Sequence, residues 1–434
     1  MKRIQYHKIF IYVIVIVFIG AGLVVTISSD EPISKGTIYV DDDADPSWYD
    51  TTHVHTIQEG IDIASSGDTV YVYNGTYYEN INVDKSITIR GENCSNTIID
   101  SQENGNVISV SADFTNISGF KVQNSGPVGA DSGIYLNSKN CTIKDNIFIN
   151  NGAGLRLSFY AKNNTITKNN VKNNTNGIII TENSDNVNIN NNTIENNEIW
   201  GIYVHDSLNA VIEENIIFNN MRYGVNLNWN SNNSILRNNN ISSNNDSGIF
   251  LSSSNGTIDG NKIKNHKNGI FLFNDISYDT VIHKNDIFDN NISGIRLNSG
   301  YEINIMENNI SNNNDGIYFG WDCHDIVIFQ NDFINNSKGI FMKFFNNSNN
   351  TIFNNSFLNN SNCGLYISSD DCTNNLIYNN IFSDNLQNAY DEGINFWNVS
   401  IISRPNIVGG PKIGGNYWSE YNCTDSNGDG FCDT

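Results

Sequence analysis

The sequence predicts an all-β fold, a single-stranded right-handed parallel β-helix with three strands per coil and a short N-terminal cap helix. Three observations lead there. The phrase Gly-Ile-x-Leu, with conservative replacements, recurs eleven times from Gly133 to Ile367 at a mean period of about 23 residues. Two further short apolar phrases of alternating character accompany each copy, which is the pattern of strands. All five prolines (Pro32, Pro46, Pro127, Pro405 and Pro411) fall outside Gly133–Phe382. So short a unit cannot bury its own apolar face and must stack on copies of itself. Strands paired on both sides need every backbone N–H, which excludes proline, and parallel crossovers wind to the right by default.

The elements follow in order. Lys2, Arg3 and Lys8 precede nineteen uncharged residues, Ile9–Ile27. At about 1.5 Å per residue these just span a bilayer core of roughly 30 Å, with the basic flank left inside. The exit Val24-Val-Thr-Ile-Ser-Ser29 has no small-x-small cleavage site, so an uncleaved anchor is favoured over a signal peptide. Residues 1–27 are thus read as anchor or signal, 28–36 as a linker, and 37–132 as the N-terminal cap and first coils. Residues 133–383 form the regular repeats and 384–434 a C-terminal cap carrying a calcium-loop-like segment. In Thr56-Ile-Gln-Glu-Gly-Ile-Asp-Ile-Ala64, Thr56 and Glu59 fit a capping box, and Ile57, Ile61 and Ala64 share a face. This segment is the expected helical plug, with strands Thr37–Val40, Thr69–Tyr73 and Ser86–Arg90 beginning the winding.

Within each repeat a Thr-Ile or Val-Ile phrase (Thr142-Ile143, Val211-Ile212, Val327-Ile328) follows the Gly phrase, and an asparagine opens the third. That asparagine recurs at 146, 169/170, 192, 215, 239/240, 261, 285, 308/309, 331, 355 and 380. Stacked coils place these amides about 4.8 Å apart, where each can donate and accept along a ladder, and asparagine also tolerates left-handed corners.

The net charge of −22, with no basic cluster beyond the N-terminus, argues against a nucleic-acid partner. Seven cysteines suit an oxidising exterior, and Cys363/Cys372 and Cys423/Cys432 are close enough in sequence for local bridges.

The words Ile38-Tyr-Val-Asp-Asp-Asp43, Thr56-Ile-Gln-Glu-Gly-Ile-Asp62 and Gly67-Asp-Thr-Val-Tyr-Val72 resemble the opening of pectin-lyase-like right-handed β-helices. The repeats, with Gly414-Gly-Asn-Tyr-Trp-Ser419 and Asp425-Ser-Asn-Gly-Asp-Gly430, look like the NosD-type, carbohydrate-binding-and-sugar-hydrolase branch, which includes many archaeal surface proteins. The resemblance implies fold strongly and activity weakly, because this superfold hosts lyases, hydrolases, epimerases and non-enzymes. A NosD-like copper-maturation role would favour clustered Met, His or Cys, and His53-Val-His55 is the one close histidine pair.

In Gly-Ile-x-Leu, Ile and Leu are expected inward and x outward. Read down the chain, x is Tyr135, Arg156, Ile179, Tyr203, Asn226, Phe250, Phe271, Arg296, Tyr318, Phe341 and Tyr366, seven aromatics in eleven. With Trp229 and Trp321 from the following corners, the seven aromatics Tyr135, Tyr203, Phe250, Phe271, Tyr318, Phe341 and Tyr366 are the candidate sugar-binding residues. Cross-strand packing that merely stabilises the sheet is the alternative. Arg296, Asp322, His324 and Lys343 come from three consecutive coils and are the candidate catalytic group, expected to converge within about 10 Å. The Gly-His-Gly and aligned acidic trios of related enzymes are missing from the sequence. Asp425-x-Asn427-x-Asp429-Gly430 matches the first half of an EF-hand-type loop, and Asp433 is a later ligand, so calcium is the expected metal. The resulting expectation is a membrane-anchored, extracellular β-helix that binds a polysaccharide or cell-surface glycan as an adhesive or structural module. A polysaccharide-modifying enzyme comes second and a metal-maturation accessory third.

Overall fold

The computed structural model describes residues 36–127, 131–273 and 278–421, together with Thr424 and Ser426. The anchor expected at Ile9–Ile27 and the calcium loop lie outside these. Among the described residues no helix is long and apolar enough to cross a membrane.

The chain winds as a parallel solenoid of three long sheets, with 16, 15 and 14 described strands. Each coil contributes one strand to each sheet: the Thr-Ile phrase to the first, the Asn-led phrase to the second, and Gly-Ile-x-Leu to the third. In one coil these are Thr257–Asp259, Lys262–Lys264 and Asn268–Phe273. The register holds from coil to coil, so Ile258 pairs with Ile282, Ile263 with Ile287, and Ile270 with Ile295. Like side chains therefore stack into continuous core columns whose members are fully buried.

Gly177 shows why the third strand opens on glycine. A Cβ there would sit 2.2 Å from the carbonyl oxygen of Gly201 in the next coil, so only glycine allows the coils to close up.

The cap helix runs Ile57–Ile63, and the Thr56/Glu59 capping box is present, with Ile57, Ile61 and Ala64 buried over the first coil. The next coil satisfies both of its ends. The Glu79 carboxylate accepts from the N–H groups of Ile57 and Gln58 at 2.9 and 3.0 Å. The Lys85 ammonium donates to the carbonyls of Ile61, Asp62 and Ala64. Those are the groups a helix terminus leaves without partners. Strands open the winding at Thr37–Val40, Thr69–Val72 and Thr88–Gly91.

At the far end Tyr417–Trp418 adds a strand to the second sheet beside Ile381–Ser383. This explains the Gly-Gly-Asn-Tyr-Trp word. Asn416 accepts from the backbone N–H and side-chain amide of Asn380, closing the ladder, while Trp418 stacks on Phe382 at 4.6 Å.

The asparagine ladder resolves to Asn146, Asn169, Asn192, Asn215, Asn239, Asn261, Asn285, Asn308, Asn331, Asn355 and Asn380, all buried. Asn261 is typical. Its backbone N–H and amide donate to Asn285 Oδ1 at 2.9 and 3.0 Å, and the amide also reaches the Leu236 carbonyl. One expectation is corrected here. The left-handed residue at each corner is not the ladder asparagine but its predecessor, as with Lys284 before Asn285 or Glu307 before Asn308. The predecessor turns the chain, and that turn aims the asparagine inward.

A second correction concerns the thiols. Cys363 and Cys372 are both free and buried, so the local bridge does not form. Cys363 Sγ lies 3.2 Å from the Leu365 carbonyl, whereas Cys372 Sγ faces the Phe344 carbonyl at 3.0 Å.

Candidate functional site

On the outer face of the third sheet, the variable residue of the repeat forms one unbroken column. Tyr135, Arg156, Ile179, Tyr203, Asn226, Phe250, Phe271, Arg296, Tyr318, Phe341 and Tyr366 follow one another in Cα register, and Tyr390 extends the column by one coil. These side chains are not simply solvated, as expected from strand alternation. Ile179 and Asn226 are each 4% exposed, and the remainder are partly buried. Neighbours about 5 Å away along the axis cover one another, because coil spacing and ring thickness are similar.

The column is uneven. Phe250 meets Phe271 edge to face at 5.4 Å, and Phe341 meets both Tyr318 (5.7 Å) and Tyr366 (5.5 Å) in the same way. At such steps one ring turns its edge to its neighbour, so its faces stay clear of that neighbour. Arg296 interrupts the aromatics, its guanidinium 5.1 Å from the ring centres of both Phe271 and Tyr318. Burial pushes the phenols of Tyr135, Tyr203 and Tyr318 upward, so they remain neutral hydrogen-bonding groups at physiological pH.

A second column runs beside the first, formed by the residue before each repeat glycine. Two features of it were missed in sequence. Trp200 stacks flat on Tyr203 at 4.2 Å, with His205 beyond at 5.9 Å, making a row of three rings on one strand. Asp315 and Lys338, on adjacent strands, form an ion pair at 3.4 Å on this face. Burial raises the Asp315 carboxyl while Lys338 pulls it back. Lys338 also lies 4.5 Å above the Phe341 ring. The available signal was the position itself, Asp315-Gly316 and Lys338-Gly339.

The four candidate catalytic residues are each engaged with a different neighbour. Arg296 is clamped in the stripe. Asp322 turns the following corner in left-handed geometry and accepts from Asn346. His324 stacks on Tyr301 at 5.4 Å and pairs with Asp325 at 2.8 Å. Lys343 lies over Phe344 at 4.9 Å. Trp229 and Trp321, 61% and 39% exposed, stand on the corner after the third sheet. Asp425, Asn427, Asp429 and Asp433 lie outside the described residues.

Elsewhere, an open cleft of about 640 Å³ follows the corner between the second and third sheets. Its lining is asparagine and serine with Asp289 alone ionisable, so it holds no acid–base pair. Among the described residues, the one close group of three His, Cys or carboxylate ligands is Asp41, Asp42 and Asp43. These are hard oxygen donors, unsuited to copper. His53 is paired with Asp50 at 2.9 Å, and His55 stacks on Tyr49 at 3.5 Å. His283 and Met306 stand in register, but the two His283 nitrogens face Asp259 at 2.9 Å and Glu307 at 3.5 Å. This donor set does not fit a copper centre.

Residues 228–423 match the family described as periplasmic copper-binding protein (NosD), and residues 106–252 match the right handed beta helix region. No curated protein matches the sequence. Among solved structures the chain is similar to the A-module of Azotobacter vinelandii mannuronan C-5 epimerase AlgE6, at 15% identity over 78% of this chain and 92% of that one, TM-score 0.48. It is similar to the Dettilon tailspike protein gp208, at 15% identity over 68% and 67%, TM-score 0.57. It is also similar to PfbA, a surface adhesin of Streptococcus pneumoniae, at 16% identity over 70% and 87%, TM-score 0.49. The fold is thus a right-handed parallel β-helix, similar over residues 228–423 to the NosD family.

Proposed function

We infer that the outer face of the third sheet is a carbohydrate-binding surface on an extracellular protein serving adhesion or surface structure. Residues 1–27 would hold it at the membrane, and calcium at Asp425, Asn427, Asp429 and Asp433 would stabilise its C-terminal cap. The observation that carries this reading is the in-register aromatic column. Its rings are partly exposed on one face only, with a repeat close to one sugar ring per coil, so a glycan lying along the axis meets successive rings through CH–π contact. The test is a glycan array probed with the full-length protein, with and without calcium. Binding that falls about tenfold or more in Phe250→Ser/Phe271→Ser supports the reading. Absence of binding to any glycan in either condition overturns it.

Polysaccharide modification is the second reading, favoured by one observation: the Asp315–Lys338 ion pair lies beside Tyr318 and Phe341, one coil from Arg296. A carboxylate able to accept a proton and an ammonium able to donate one, next to a sugar platform, are the materials of proton transfer. New reducing ends or unsaturated sugars from bound glycans, lost in Asp315→Asn, would establish it. Bound glycans recovered unchanged would dismiss it.

A further inference from the structure

Hydrogen-bonding groups buried without partners are rare in folded proteins, and each one destabilises the fold. This chain pairs its buried amides thoroughly along the asparagine ladder. Against that background, six side-chain atoms without a hydrogen-bond partner fall close together: Asn176 Oδ1, Trp200 Nε1, His205 Nδ1, Asn226 Oδ1, Ser247 Oγ and Ser253 Oγ. They come from four consecutive coils of the third sheet, on strands Asn176–Ile180, Trp200–His205, Tyr223–Asn228 and Ser247–Leu251 and the corner after the last. Asn176, Asn226, Ser247 and Ser253 are all more than nine-tenths buried. Asn226 and its neighbours Tyr203 and Phe250 belong to the aromatic column itself.

The set has a definite chemistry. Trp200 Nε1 donates, the two asparagine oxygens accept, the two serine hydroxyls do either, and His205 Nδ1 donates or accepts according to its tautomer. None of the six groups is a carboxylate, ammonium or guanidinium. The stretch around Arg296, Asp315, Lys338 and Lys343, two or more coils further on, is by contrast charged. A ligand satisfying the first stretch must carry closely spaced hydroxyls and no charge.

We propose that coils Asn176–Ser253 form a subsite for uncharged, hydroxyl-rich sugar units, gripped by the rings of Trp200, Tyr203 and Phe250 and hydrogen-bonded by Asn226, Ser247 and Trp200 Nε1. This rests on the carbohydrate reading above and sharpens it, because it assigns neutral sugars to one part of the groove. The unpaired atoms are maintained at a cost to stability, as binding sites often are. Asn226→Leu, which keeps the shape and removes the unpaired amide, therefore leaves the melting temperature unchanged or raises it.

The test uses the full-length protein with cellohexaose and mannohexaose as neutral probes and hexagalacturonate as the anionic one. Affinity is measured for wild type, Asn226→Leu, Ser247→Ala and Trp200→Phe. Binding of a neutral hexasaccharide that weakens about tenfold in Asn226→Leu, with no loss of melting temperature, supports the subsite. Binding confined to hexagalacturonate and unmoved by these substitutions overturns it while leaving the carbohydrate reading intact. Neutral binding that all three variants retain overturns it too, and assigns the unpaired atoms to ordered water. No binding of any probe removes the subsite together with the reading it rests on.

Discussion

The corners that carry the asparagine ladder and the outer face of the third sheet are built by the same repeat, yet they differ in almost every physical respect. At the corner between the first and second sheets one residue type recurs in eleven coils, and each copy makes the same bonds to the coils on either side. On the outer face Tyr, Arg, Ile, Asn and Phe share one position, neighbours stack or cross, and some polar atoms have no partner. The ladder bonds are identical because every coil poses the same problem, a buried backbone N–H and carbonyl at a turn. The face poses no common structural problem, so its residues are free to answer to something outside the chain. Uniformity marks what holds the solenoid together, and variation marks where it meets a ligand.

The largest effect is expected where the ladder is cut. Asn285→Leu strands the buried backbone N–H of Asn261 and takes the side-chain donor away from the buried Ile258 carbonyl, while the His283 carbonyl keeps the Gly260 N–H. One stranded N–H together with the lost hydrogen bonds of the Asn285 amide costs about 4 kcal/mol, which a shift in the denaturant midpoint will show. A loss below about 1 kcal/mol would mean that the ladder is ornament and would dissolve the contrast drawn above.

A smaller effect comes from the one histidine in a second ladder, which sequence reasoning missed. This runs through Asn244, His266, Asn290 and Asn313 at the corner between the second and third sheets. His266 imitates an asparagine: Nδ1 accepts from the Asn244 N–H at 3.1 Å and Nε2 faces the Ile241 carbonyl at 3.2 Å. Burial lowers its pKa to about 4 from 6.5, so between those values the unfolded chain binds the extra proton. Stability therefore rises with pH across this window and is lost as pH falls from about 6.5 to 4, by roughly 3 kcal/mol in all. His266→Asn, restoring the residue of neighbouring coils, should flatten that part of the profile. An unchanged profile would show that His266 is not the group responsible.

How much could be read in advance follows the same division. Gly133, Ile134 and Leu136 and their ten counterparts announced coil, core and strand order, because a solenoid writes its contacts into sequence at a fixed interval. The ladder was legible at Asn146 or Asn215, where the residue stands alone, but ambiguous at Asn169/Asn170, where two asparagines adjoin and only the left-handed Lys168 decides. The second ladder, five residues on at Asn151, Asn174 and Asn197, was hidden by the abundance of asparagine and by His266. At the face, register alone predicted the aromatic column. The ion pair of Asp315 with Lys338 and the clamping of Arg296 between rings depend on side-chain directions that spacing does not encode.

The smallest effect on stability is expected in the stripe, and that is its value as a test. Tyr366 is partly buried between Phe341, edge on at 5.5 Å, and Tyr390, stacked at 4.8 Å. If its ring served only to knit the sheet, Tyr366→Ser would lose both pairs, about 1–2 kcal/mol, and change nothing else. If the stripe is a binding surface, the loss of stability stays near 1 kcal/mol while affinity for the array-selected glycan falls several-fold. The two measurements together separate the cases. Loss of stability with unchanged affinity would place Tyr366 with the ladder as a structural residue and move the binding surface toward Trp200 and Phe250. Loss of affinity with little loss of stability would carry the functional face as far as the last regular coil.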